Sequence, residues 1–368
     1  MPAATRSIEE LVRKTFFPGS ALLLLLLTGC LGSPYRSYSD LFSRHPANRV
    51  ENWQASLQAR TQQNELPRDF IQPATELPLQ YGIDMNALDE FAPPRPAYPE
   101  KQELEDMHNQ LKLVLRSQPE LKRFLIKRVA GIYLVHDLGS SGLTGFIYDS
   151  SGDAVAGFIL LDLDRIQMSA EDMINLREKS IIQNANELPA FWGYRLSCGG
   201  LPCPGTVSGA IYLLFHESAH IATEVYGLLP SLRTTPEDYR ASRGELPSPF
   251  NRFWQDPWNS KFQYPFAGKL RFYSSNPELS REQHSRGVDR AMQDGFPGLY
   301  ATVDAWEHAA EVVAYSMLRR QLEFRRSADS RRVLDLNSVP GYARFIQSLK
   351  EKMRKDPGLQ PDPGDVSN

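Results

Sequence analysis

Ile211-Tyr212-Leu213-Leu214-Phe215-His216-Glu217-Ser218-Ala219-His220-Ile221-Ala222-Thr223-Glu224-Val225-Tyr226 is the stretch on which the reading of this chain turns. The run from Thr206 or Ser208 to Tyr226 predicts a single helix. A hydroxyl residue stands at its start as N-cap, and Gly227 and Pro230 stop it. His216 and His220 are four residues apart, which on a helix is about 400°, one turn plus roughly 40°. Both imidazoles then face one side and can share one ion at about 2.0–2.1 Å each. Glu217 stands beside His216, where its carboxylate can reach a water on that ion. Neutral imidazoles suit Zn²⁺, and zinc brings the pKa of bound water towards about 7. Chance alone gives His-Glu-x-x-His in about one in a hundred chains of this length. The preceding Ile211, Leu213, Leu214 and Phe215 predict a buried helix, in which two unliganded histidines would be costly. One zinc per chain is expected.

A catalytic zinc takes three protein ligands and leaves a position open for water. Glu224 lies one turn beyond His220 on the same face, but a third consecutive ligand on one helix aims past the ion. Downstream, Trp306-Glu307-His308-Ala309-Ala310-Glu311 offers Glu307 or His308. Metzincins carry Gly three residues and His six residues after the second His; here those positions are Thr223 and Tyr226. The Trp306–Glu311 segment instead resembles the second helix of the gluzincins. There a Glu ligates zinc and an acidic residue four positions on orients a histidine ligand. The resemblance implies Glu307 as third ligand and Glu311 as the partner of His216 or His220. Small Ala309 and Ala310 would let the two helices approach. Tyr300, seven residues before Glu307, is spaced as in lethal-factor-like gluzincins, where a tyrosine points into the site. That implies a donor to a developing oxyanion.

The ends of the chain say where such a site would work. Arg6, Arg13 and Lys14 precede the apolar run Ala21–Leu27, which is too short to span a bilayer. Leu27-Thr28-Gly29-Cys30 follows and resembles the lipobox of bacterial lipoproteins. The resemblance implies a signal peptide over 1–29, lipidation of Cys30 and a cell-envelope location. With Leu31 after the cysteine, similarity to enterobacterial lipoproteins favours the outer membrane, facing the periplasm. In an exported protein the remaining pair, Cys198 and Cys203 in Cys-Gly-Gly-Leu-Pro-Cys, reads as a disulfide.

With 41% apolar residues over 368, the chain can bury a sizeable core, and its net charge of −3 argues against nucleic acid as a partner. Residues 30–100, rich in Pro, Ser, Gln and Asn, read as the lipidated cysteine, a tether and an extended arm. Residues 101–355 read as the metallopeptidase domain. Residues 101–128 carry helical signals, with Leu104, Met107, Leu111, Val114 and Leu115 at helix spacing, and Pro119 starts a second short helix ending near Arg128. Val129–His136, Phe146–Tyr148 and Val155–Leu163 read as strands around the break Gly139-Ser140-Ser141-Gly142. Residues 228–299 are a Pro- and aromatic-rich insertion. Helices are expected over Thr302–Phe324 and Tyr342–Met353, and 356–368 reads as a disordered tail. The expected fold is α+β and, by resemblance, zincin-like: a small mixed sheet on the motif helix, a second Glu-bearing helix and a mainly helical C-terminal part.

The expected activity is zinc-dependent hydrolysis of peptide bonds, with Glu217 as general base, Tyr300 assisting and a polypeptide as substrate. The strand at Val155–Leu163 is expected to lie at the cleft and pair with that substrate. A non-catalytic envelope lipoprotein is the alternative, with a structural zinc and a partner-binding surface in 228–299. Cleavage of a non-protein amide, such as a cell-wall crosslink, is a third reading.

Overall fold

The computed structural model describes residues 33–359 except 62, 199–200, 203–204, 275 and 328–329. The 1–29 leader, Cys30, Cys203 and residues 360–368 lie outside the described residues, and so does the expected Cys198–Cys203 pairing. The N-terminal part holds helices α1 (Tyr38–Arg44), α2 (Gln54–Thr61) and α3 (Glu76–Leu88) with short strands β1 (Ile71–Pro73) and β2 (Arg95–Pro96). Next come α4 (Lys101–Arg116), α5 (Pro119–Arg128), β3 (Val129–His136), β4 (Gly142–Tyr148) and β5 (Ala154–Asp162). After α6 (Leu163–Ile166), α7 (Ala170–Lys179), β6 (Gly193–Cys198) and β7 (Leu201–Pro202), the chain enters α8 (Gly209–Val225). Then follow α9 (Pro236–Ala241), β8 (Trp254–Asp256), β9 (Asn259–Ser260), α10 (Arg281–Asp294), α11 (Ala305–Leu318), β10 (Gln321–Arg325), β11 (Arg331–Leu334) and α12 (Tyr342–Lys355). The fold is α+β around a small mixed sheet.

That sheet runs β1-β3-β5-β4, with β2 also pairing β3. β1, β3 and β5 are parallel, and β4 is antiparallel at the edge. One face carries α8. Gly157 of β5 makes the close approach possible: a Cβ there would sit 2.7 Å from both Gly145 O and Ile221 Cγ1. The expected cleft strand at Val155–Leu163 is therefore interior to the sheet, and the edge is β4. Asp162 N–H donates to Ser141 O, so alternate residues Gly142, Thr144 and Phe146 turn their backbone outward. Their carbonyls accept from Ser140 Oγ (2.7 Å), Tyr81 OH (3.2 Å) and Asn48 Nδ2 (2.5 Å). Arg49 forms an isolated parallel bridge to Tyr148 beyond them.

The sheet's other face is covered by the N-terminal part, which is helical where an extended arm was expected. Leu41, Trp53, Leu57 and Tyr81 are buried with Tyr133, Phe158 and Leu160 in a second core. Amphipathic spacing in this segment is hard to read along the chain, and its apolar positions are buried by one another and by the sheet together. The chain after α12 is likewise anchored. Asp356, placed by sequence at the start of the tail, is buried against Arg128 and accepts from Tyr226 OH.

The insertion joins the main core. Phe250, Phe253 and Trp254 are at most 1% exposed, so these rings are interior and form no partner-binding surface. The helix expected to reach Phe324 ends at Leu318, where Arg319 is left-handed (φ 54°). Gln321–Arg325 then pairs antiparallel with β6, in a second sheet of order β11-β10-β6-β7. Leu318 and Leu322 are at helical spacing, but Leu322 and Phe324 alternate across Glu323 and fill the face that β6 leaves open. Among the described residues, no helix is long and apolar enough to cross a membrane.

Candidate metal centre

Helix α8 is buried along nearly its whole length, from Tyr212 to Glu224. Helix α11 packs against it, and its Ala309 and Ala310 are almost fully buried. Its first turn is fixed by Asp304, whose Oδ1 accepts from Glu307 N at 2.7 Å. This brings Glu307 to the histidines. His216, His220 and Glu307 converge as one candidate metal-binding triad. His216 Nε2 lies 3.3 Å from His220 Nε2 and 3.1 Å from Glu307 Oε2, and His220 Nε2 lies 3.7 Å from that oxygen. Tetrahedral bonds of 2.0–2.1 Å place ligand atoms about 3.3–3.4 Å apart, so the three atoms are spaced to hold a zinc-sized ion.

The environment supports that fit. Glu307 Oε2 is buried and, among the described residues, makes no well-aligned hydrogen bond. Burial pushes its carboxyl up, but His220 and His216 outweigh this and hold it well below the usual carboxylate range. Burial pulls His216 down, but Glu307 and Glu311 raise it to about 10 in the absence of a cation. Two buried imidazoles and a carboxylate around one point form a cation-binding set whatever cation fills it. Behind His216, Glu311 Oε1 stands 3.1 Å from Nδ1, which leaves Nε2 to face the centre. Burial pushes the Glu311 carboxyl up, yet Arg177, followed by His216, brings it down to about 2.

Glu217 leaves the triad and faces the sheet edge. Its Oε2 accepts from Thr144 Oγ1 at 2.6 Å. Its Oε1 lies where a Cβ on Gly142 would come within 2.6 Å, so the glycine makes room for it. Tyr300 stands before α11, its ring 6.0 Å from the His216 ring. Burial, then the charge of Glu307, pushes its hydroxyl well above the ordinary value, and Glu217 adds to the shift. The two further candidates face elsewhere. Glu224 accepts from Tyr148 OH (3.2 Å) and Leu232 N (3.1 Å) and so tethers the loop after α8. His308 accepts from Trp254 Nε1 at 2.9 Å and pairs with Tyr342 OH inside the aromatic insertion.

Four neighbours of the centre, Thr144, Phe272, Tyr273 and Arg177, were not anticipated from sequence. Thr144 lies in a part of β4 whose glycines gave no strand pattern. Tyr273, from the insertion, reaches Ser141 Oγ with its hydroxyl (3.1 Å), while its N–H donates to Ser180 Oγ (2.7 Å). Beside it Phe272 packs edge-on against Tyr300 at 4.9 Å. Arg177 comes from α7, where Asn175, Arg177 and Glu178 are all buried polar residues. A charged residue in a short amphipathic segment carries no sequence signal that separates it from a solvated one.

No protein-family model, curated protein or solved structure matches the chain.

Proposed function

We propose that this chain is a zinc-dependent peptidase with a gluzincin-like centre, held in the bacterial cell envelope by a lipid on Cys30. The observation that carries the reading is the spacing of His216, His220 and Glu307, with Glu217 next in sequence to His216 and left outside the ligand set. A structural zinc site uses four protein ligands as a rule, whereas three ligands and an adjacent carboxylate suit hydrolysis.

Zinc bound by the triad would supply Lewis-acid polarisation of a carbonyl and a water of lowered pKa. Glu217 is the proton carrier. Thr144 holds its carboxylate in one rotamer by donating to Oε2, which leaves Oε1 to take a proton from water and deliver it to the departing amine. His216 is fixed in ring orientation by Glu311. Tyr300, kept protonated by burial and by Glu307, is the donor for charge developing on the scissile carbonyl oxygen. Substrate pairing along β4 is not part of the reading, because its outward carbonyls already accept from Ser140, Tyr81 and Asn48.

The test compares the purified wild type with Glu217→Gln. Both are expected to carry about one zinc per chain. The variant is expected to lose about 10²–10⁴-fold of the activity that generates new peptide termini in an envelope proteome. Full activity in Glu217→Gln, or a wild type that binds no zinc, would overturn the proposal.

A further inference from the structure

We infer that Arg177 is a positioning residue that fixes two parts of the centre at once: the carboxylate behind His216 and the tyrosine beside the ligands. The inference rests on the metal centre proposed above. Arg177 is only 7% exposed on its side chain. Its Nη1 and Nη2 donate to Glu311 Oε1 and Oε2, each at 3.1 Å, and Nη1 also lies 3.2 Å from Tyr212 OH. Tyr212 in turn bonds Glu311 Oε1. Held by three donors, that carboxylate has one orientation in which to meet His216 Nδ1 at 3.1 Å.

The face of the same guanidinium has a second task. Its central carbon lies 3.8 Å from the centroid of the Tyr300 ring. Phe272 closes the ring in at 4.9 Å. A planar guanidinium can offer its edge to a carboxylate and its face to a ring together. A lysine ammonium can keep the charge beside Glu311 but cannot reproduce the stacked plane. Arg177 therefore reaches the centre by two separable routes. One runs by its edge through Glu311 to His216, and the other by its face to Tyr300. No other described cation makes both contacts.

The separation gives the test. Zinc affinity is measured on the purified full-length chain by competition with a chelator, and acetohydroxamate affinity on the zinc-loaded protein. Arg177→Met is expected to lower zinc affinity by about 10–100-fold. Arg177→Lys is expected to keep zinc affinity within about threefold while weakening acetohydroxamate about tenfold, matching Tyr300→Phe. Unchanged zinc affinity in Arg177→Met, or wild-type acetohydroxamate affinity in Arg177→Lys, overturns the inference. If Arg177→Met does not fold, Arg177→Lys decides alone, since it retains the buried charge pair. A wild type that binds zinc but cleaves no peptide would refute the peptidase reading only. The two affinities would still report on Arg177.

Discussion

His308 stands next to a ligand, yet it belongs to a different part of the molecule. Its Nδ1 accepts from Trp254, so its proton is on Nε2, towards Tyr342, which donates on to Gly295 O. Burial holds its pKa down at about 3. In the unfolded chain an imidazole titrates near 6.5, so below that pH the unfolded state binds a proton that the folded state refuses. Stability from this group is therefore intact above about 6.5 and is lost as pH falls towards 3. Between pH 7 and pH 5 the expected loss is about 2 kcal/mol. His308→Gln should lose that much less over the same interval, measured by urea unfolding of the metal-free chain. Equal losses in both proteins would refute the assignment. At this scale the sequence was informative where geometry is local. A four-residue spacing on one helix brings His216 and His220 together with no help from the rest of the fold. Arg177 could not be found that way, because Glu311 and Tyr300 lie more than 120 residues away, Tyr212 lies on another helix, and none of them carries a pattern that points back to α7.

Helix α8 reaches the sheet only because β4 and β5 present glycines to it. A side chain at Gly157 would meet Gly145 O and Ile221 at 2.7 Å, so α8 would have to shift. Gly157→Val is expected to destabilise by about 1–3 kcal/mol, read as a fall in thermal midpoint. A midpoint unchanged within error would show that the helix–sheet contact is looser than drawn. Elements whose period is long and regular were legible: α5, β3 and α8 lie within a few residues of their predicted spans. Those whose pattern depends on a neighbour were not. Strand β10 continues the apolar spacing of α11 and is a strand because β6 needs a partner. The helices of residues 38–88 do not read alone: α1 and α2 have few apolar positions, while Leu77, Leu79, Tyr81, Ile83 and Met85 of α3 alternate as in a strand, and their burial comes from one another and from the sheet.

Across the whole molecule, the chain after α12 is tied back to α5. Arg128 donates to both oxygens of Asp356 (2.8 and 2.7 Å), and Tyr226 reaches the same carboxylate at 2.7 Å. Arg128 is 12% exposed, so removing its partner leaves a largely buried charge. Truncation after Lys355 should cost about 3–5 kcal/mol relative to truncation after Leu359, which keeps Asp356. Equal midpoints for the two truncations would exclude this anchor. The opposite end bears on where the protein can act. Helix α1 starts at Tyr38, buries Leu41 and Phe42, and is pinned by Ser39 to Arg233 O. The tether expected to run out to residue 100 therefore gives way to packed structure from α1 onward. If Cys30 carries the proposed lipid, the eight residues from Cys30 to Ser37 allow at most about 30 Å between the bilayer and α1. Under the proposal of a lipid-anchored peptidase, the centre would work only in the thin layer next to the bilayer, and its substrates would have to come to that surface.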